Sequence, residues 1–222
     1  MLKKLFNFYS TKARAKRAKI FKSCFTITDS MKILDLGGGD GKLIMSMGLN
    51  KKNIFVADFD KGALEKASQN GLNIVQLDES GNIPCTKNQY DIIFSNSVIE
   101  HVTVDKEDVY KIKTNNEFHT AALVRQKHFA TEIRAKCDKY YVQTPYKYFI
   151  IESHSWLPIF IVLLPRRAQI SLIKGFNKFW PKKTSPDWNL LTVKEMKLLF
   201  PDAKIIREKS FFMTKSLIAI KA

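Results

Sequence analysis

Apolar residues fall in short runs separated by glycine, aspartate and asparagine, and between several of these runs the spacing changes to the three-and-four rhythm of a helix. The runs at Lys32–Leu36, Asn53–Asp58, Asn73–Leu77, Asp91–Ser95 and Tyr140–Gln143 are rich in branched side chains and predict five strands. Asp60–Gln69 reads as a helix with Asp60 as its N-cap, because an aspartate there can accept from the exposed amides of the first turn. Lys42–Leu49 is helix-like, Glu117–Cys137 is the longest helical pattern, and Thr192–Phe200 is a further helix closed by Pro201. Ala203–Glu208 and Ser216–Ile220 then pair as an antiparallel hairpin. Strands alternating with helices predict a parallel sheet covered by helices, an α/β fold.

Composition narrows the class. The 222 residues suffice for one medium domain, and 45% hydrophobic with 26% charged residues excludes collagen-like and wholly disordered chains. Cys24, Cys85 and Cys137 are odd in number and widely spaced, so a disulfide framework, a CxxC redox motif and a structural zinc site are all disfavoured; no metal is expected, and a reducing cytoplasm fits. The net charge of +16 is concentrated. Residues 1–28 carry eight Lys/Arg and residues 166–183 carry six, neither with an acid, which leaves +2 for the rest. No run approaches the ~20 apolar residues of a membrane-spanning helix, and no secretory signal pattern opens the chain.

The segment Ile33-Leu-Asp-Leu-Gly-Gly-Gly-Asp-Gly41 carries the chemistry: a buried strand enters a glycine-rich turn and then a helix start. Gly37, Gly39 and Gly41 allow positive φ and close approach of a ligand, and in an open α/β sheet this crevice is where cofactors bind. A dinucleotide fingerprint would need glycine at position 42, which is Lys, and the P-loop spacing is absent. Asp58 ends the second strand, where a carboxylate can accept both hydroxyls of a ribose. Asp78 follows the third strand and Asn96 the fourth, so four consecutive strand ends carry polar groups.

These segments resemble the class I S-adenosylmethionine-dependent methyltransferases. ILDLGGGDG looks like their first motif, VADFD their second-strand acid, QLDES their third-strand acid and YDIIFSNSVIEHV their fourth-strand segment. Within that superfamily the match is to the type 11 group, and KYYVQTPYKYFIIESHSWLPIF resembles members linked to cell-surface polysaccharide synthesis. The resemblance implies a Rossmann-like, mostly parallel seven-stranded sheet with an antiparallel last strand and helices on both faces. It implies S-adenosyl-L-methionine as cofactor, with Asp35, Gly37, Gly39 and Gly41 holding the methionine part. Asp58 would then take the ribose, Phe59 lie against the adenine, Asp78 accept from its amino group, and Asn96 sit below the methionine. Asp40 departs from the family's usual Thr or Ser; it either meets the cofactor's amino group or caps the helix.

Residues 1–30 form a basic amphipathic segment and 31–222 the methyltransferase domain, in which 144–187 is an acceptor-side insertion or lid. That insertion and its border are aromatic, with Tyr146, Tyr148, Phe149, Trp156, Phe160, Phe176, Phe179, Trp180 and Trp188, faces that stack on sugars or pack beneath a lid. A saccharide or glycan-precursor acceptor is the leading expectation. A sugar hydroxyl profits from a general base, for which His154 and His101 are the candidates, while His119 and His128 read as surface residues. The basic stretches 1–22 and 156–183 suit an anionic membrane surface, placing the chain in the cytoplasm or at the inner face of the cell membrane. The alternatives are an RNA methyltransferase, although nucleic acid is disfavoured because the Asn/Asp-Pro-Pro-Tyr turn and any RNA-binding module are absent, and a membrane-associated methyltransferase of a small lipid-like acceptor.

Overall fold

The computed structural model describes residues 15–78, 80–149, 164–178, 185–210 and 212–222. Seven strands form one mixed sheet in the order β3-β2-β1-β4-β5-β7-β6, with β7 antiparallel to the others and helices flanking it. They are β1 Ile33–Leu36, β2 Ile54–Asp58, β3 Asn73–Gln76, β4 Ile92–Asn96, β5 Tyr140–Pro145, β6 Lys204–Ser210 and β7 Met213–Lys221. Two compact units divide the chain: one holds the residues through Asn96 with Glu132–Tyr141 and Ile220–Ala222, the other Ser97–Thr131 and Val142–Ala219.

The first unit contains the parallel strands β1 to β4. β1 is central, pairing Ile33 with Ile54 on one side and with Ile92 on the other, while β2 pairs Phe55 with Asn73 of β3. Ile33, Leu34, Val56, Ile93 and Phe94 are fully or nearly fully buried, as expected of strands covered on both faces. Parallel pairing places the carboxyl ends of all four strands along one edge, which is what brings Asp35, Asp58 and Asn96 to the same margin of the sheet.

Helix α1, residues 15–24, spends its apolar face inside this unit. Phe21 is fully buried, edge-on to Phe94 and Tyr141 with ring centroids at 4.9 and 5.4 Å. The expected amphipathic membrane face of residues 1–22 is therefore committed to the core in its described part, because aromatic burial is worth more here than exposure. Residues 1–14 lie outside the described residues.

Helix α2 covers only Lys42–Met45, shorter than its pattern predicts. Ser46 bonds back to the carbonyl of Leu43 at 2.6 Å, and Gly48 takes φ +65°, so the chain turns away from the helix. Helix α3, Lys61–Gln69, has the expected cap: Asp60 Oδ1 accepts from the Ala63 amide at 3.1 Å.

In the second unit, helix α4, Asn115–Lys136, begins two residues before its predicted start, because Thr114 Oγ1 accepts from the Glu117 amide at 3.3 Å. The last turn of α4 lies in the first unit. Helix α5, Arg166–Phe176, buries Arg166, Gln169, Ile170 and Ile173, and Phe176 packs on the Ile173–Trp188 cluster. Its inner face is thus also covered; of the stretch 156–183 expected to meet a membrane surface, residues 156–163 and 179–183 lie outside the described residues. Among the described residues no helix is long and apolar enough to cross a membrane. Helix α6, Val193–Leu199, opens with a capping box between Thr192 and Glu195.

Candidate functional site

The turn leaving β1 is built by glycine. Gly37, Gly39 and Gly41 have φ of +73°, +58° and +73°, and the Gly37 amide donates to the Ala57 carbonyl at 2.7 Å, tying the turn to β2. A Cβ on Gly39 would meet nothing within 4 Å, so backbone is presented to open space at the edge of the sheet. Gly38, which the spacing argument passed over, is needed for another reason. A Cβ there would lie 2.4 Å from Asp35 Oδ2, so its missing side chain makes room for the carboxylate.

Asp35 is buried and its Oδ2 has no hydrogen-bond partner. Burial, with the neighbouring charge of Asp58 as the lesser cause, pushes its carboxyl up to about 7. An orphaned acceptor of this kind is costly inside a protein and marks a place where a cationic or hydrogen-bonding partner would be gained.

Asp58 faces the glycine turn. Its Oδ2 accepts from the Gly39 amide at 2.8 Å and its Oδ1 from the Asp60 amide at 3.0 Å, which fixes the carboxylate while each oxygen retains capacity for a further donor. Gln76, overlooked in the sequence, anchors this strand end: its side-chain amide donates to the carbonyls of Asp58 at 3.3 Å and Phe59 at 3.1 Å. Phe59 is 55% exposed, an aromatic face beside the Asp58 carboxylate. Asp40 turns toward the helix start, accepting from the Lys42 amide at 3.2 Å and pairing with the Lys42 ammonium.

Asp78 is exposed, and its Oδ1 accepts from the amide and hydroxyl of Ser80; the hydroxyl bond, followed by the amide bond, holds the carboxyl below its usual range. Asn96 closes β4 and is half-buried. Asp35, Asp58, Asn96 and the glycine turn therefore share one sheet edge, and Asp78 lies two residues past the end of β3.

The candidate bases belong to the second unit. His101 ends a short 3₁₀ turn, Ile99–His101, with its Nδ1 3.4 Å from Asp187 Oδ1. His154 lies outside the described residues. His119, expected at the surface, instead bridges two acceptors: Nδ1 faces Asn189 Oδ1 at 2.9 Å and Nε2 faces Glu195 Oε1 at 3.0 Å. Helical position alone could not reveal this, since both partners come from the distant segment 189–195. Of the aromatic set, Trp188 is buried and Phe176 packs against its cluster, while Tyr148 is 49% exposed and edge-on to Tyr146 at 5.6 Å.

Residues 34–113 match a family model described as a methyltransferase domain. No curated protein matches the chain. Among solved structures, it is similar to magnesium protoporphyrin IX methyltransferase from Synechocystis PCC 6803 with bound SAH, at 11% identity and TM-score 0.52 over 95% of this chain and 83% of that one. A protein from Pyrococcus horikoshii OT3 aligns at 11% identity and TM-score 0.56, covering 96% and 89%. A chain from the complex of the Haloferax volcanii Trm112 methyltransferase activator with a methyltransferase aligns at 12% and TM-score 0.53, covering 94% and 88%. These structural likenesses speak to the Rossmann-like fold, and the family match falls on the glycine turn and the strand ends. The matched span, residues 34–113, is thus a methyltransferase domain, which implies S-adenosylmethionine as cofactor, and the sheet that carries it is Rossmann-like.

Proposed function

We propose that the chain O-methylates a saccharide or glycan precursor in cell-envelope polysaccharide synthesis, and that Asp35, Gly37, Gly39, Gly41, Asp58, Phe59, Asp78 and Asn96 form its cofactor site. The observation that carries the cofactor half is the pairing of an orphaned buried acceptor on Asp35 with the fixed Asp58 carboxylate across an unobstructed glycine turn. These groups match the donors of a nucleoside amino acid: Asp58 toward the ribose hydroxyls, Asp35 toward an ammonium, and the exposed Phe59 toward the base. Bound S-adenosylmethionine supplies a sulfonium-activated methyl group. The chain's contribution is therefore chiefly holding and orienting, the source of most of the rate in such transfers.

A sugar hydroxyl is a poor nucleophile at neutral pH, and His101, oriented by Asp187, is the described side chain suited to take its proton; His154 is the second candidate. The exposed Tyr148 offers a face on which a sugar ring can stack. The test is transfer of labelled methyl from S-adenosylmethionine to a panel of mono- and oligosaccharides, with total RNA and lipid extracts as parallel acceptors. Label in a saccharide, lost on alkaline-stable ether analysis of a His101→Gln or His154→Gln variant, is the expected result. Label confined to RNA or to lipid overturns the acceptor assignment.

A further inference from the structure

The second unit contains a cavity of about 330 Å³, within the range that small ligands occupy. Among its lining residues are Asn115, Asn116, His119, Lys147, Arg166 and Trp188, and among the described residues no carboxylate belongs to the lining. Acids close to the lining in sequence are engaged elsewhere: Glu117 meets the Thr114 hydroxyl, and the charge of Asp187 acts on Arg166. Glu195 accepts from Thr192 and faces His119, and Asp187 faces His101.

The positive groups, in contrast, have capacity to spare. Among the described residues the Lys147 ammonium has no hydrogen bond or close ion pair, and its charge acts on the Glu195 carboxylate from further off. Arg166 is buried and fixed, donating from one terminal nitrogen to the carbonyls of Val109 at 2.8 Å and Pro186 at 2.9 Å, with its guanidinium carbon 3.4 Å from the centre of the Phe118 ring. Its Nε has no partner, and neither has the indole N–H of buried Trp188. Asn115 and Asn116 form the first turn of the 22-residue helix α4, whose amide end adds positive potential.

Beside these groups, His119 is held by a side-chain relay. Gln126 donates to the carbonyls of Ile99 at 2.9 Å and Asn189 at 3.0 Å, which fixes its amide and turns Oε1 toward the Asn189 amide nitrogen at 2.9 Å. Asn189 therefore presents its oxygen to His119 Nδ1, and Glu195 presents an oxygen to Nε2.

We propose that this cavity binds a small anionic ligand of monosaccharide size, a sugar acid or sugar phosphate, whose acid group meets the Lys147 ammonium in the positive field of Arg166 and the α4 amide end. This deepens the saccharide reading and rests on it, by assigning the acceptor a negative charge.

Calorimetry on the full chain tests it with glucuronate, glucose 1-phosphate, glucose and inorganic phosphate, with S-adenosylhomocysteine titrated separately. At least one anionic sugar is expected to bind, with glucose and inorganic phosphate about tenfold weaker or worse. Lys147→Gln is expected to weaken the anionic sugar about tenfold, and Lys147→Arg to restore it. No binding of either anionic sugar up to about 10 mM, equal binding of glucose or of inorganic phosphate, or an unaltered isotherm in Lys147→Gln overturns the proposal. Failure of S-adenosylhomocysteine to bind strikes the methyltransferase reading instead, and the sugar titrations still decide the cavity.

Discussion

The candidate sites of the two units are built in different ways. In the first, the site is largely backbone: three positive-φ glycines, one missing side chain at Gly38, and two carboxylates set by adjacent parallel strands. In the second, it is side chain throughout, with Lys147, Arg166, His119 and Trp188 drawn from four separate segments, Arg166 held by the Val109 and Pro186 carbonyls and His119 by Asn189 and Glu195. A backbone site tolerates little change in its few fixed positions. A side-chain site spreads its dependence over many contacts, so single substitutions there should cost less.

The sharpest way to break that contrast is Asp58→Ala. The variant removes the acceptor for the Gly39 and Asp60 amides and the group assigned to the ribose, so S-adenosylhomocysteine affinity should fall by about 3 kcal/mol, on the order of a hundredfold. Calorimetry at neutral pH measures it. A loss below about threefold would place the ribose elsewhere and leave Asp58 as a loop anchor.

The difference between the units also explains what the sequence made legible. The five parallel strands, the Asp60 cap, the terminal hairpin and the positive-φ glycines follow from local pattern, and each sits within a few residues of its expected bounds. Gly38 was visible as a glycine, but its role depends on where Asp35 points, and Gln76 looked like an ordinary polar strand residue. Nothing local marks the cavity, because its residues lie between 115 and 190 and meet only through the packing of α4 and α5 with the segment around Trp188. Long-range side-chain assembly has no periodic signature. The same limit made His119 read as a surface residue.

A smaller effect comes from Asp35. Its folded carboxyl stands near 7 against an ordinary 3.8, raised by burial and then by Asp58, so the folded state holds a proton that the unfolded chain releases. The contribution is fully present below the unfolded value and is lost as pH rises toward about 7. Each unit corresponds to about 1.4 kcal/mol, so the ligand-free protein should lose a few kcal/mol across that window. Asp35→Asn should flatten this slope in urea unfolding compared between about pH 5 and pH 8. In the wild type, a bound ammonium beside Asp35 favours the ionised form, so S-adenosylhomocysteine binding below pH 7 should release a proton, read as a buffer-dependent enthalpy. A slope unchanged in Asp35→Asn would assign the titration to another group.

The smallest expected effect probes the side-chain unit at its far end. Thr192 donates its amide and hydroxyl to Glu195 Oε2, both at 2.7 Å, while Glu195 Oε1 holds His119 at 3.0 Å. Burial pushes the Glu195 carboxyl up, but the Thr192 bonds and the charges of His119 and Lys147 outweigh it, and the net shift is downward. A depressed carboxyl contributes stability above its unfolded pKa and loses it as pH falls through the folded value. Thr192→Ala removes the hydroxyl arm of the capping box and should cost about 1 kcal/mol at neutral pH. The cost should shrink in acid, where Glu195 is protonated in both proteins. Because His119 retains its Glu195 oxygen, binding of an anionic sugar in the cavity should weaken only about twofold, against the far larger loss that Asp58→Ala causes at the backbone site. A Thr192→Ala loss of anionic-sugar affinity equal to that of Lys147→Gln would mean that the relay around His119, rather than the Lys147 cation, determines binding, and the two units would then depend on fixed geometry to the same degree.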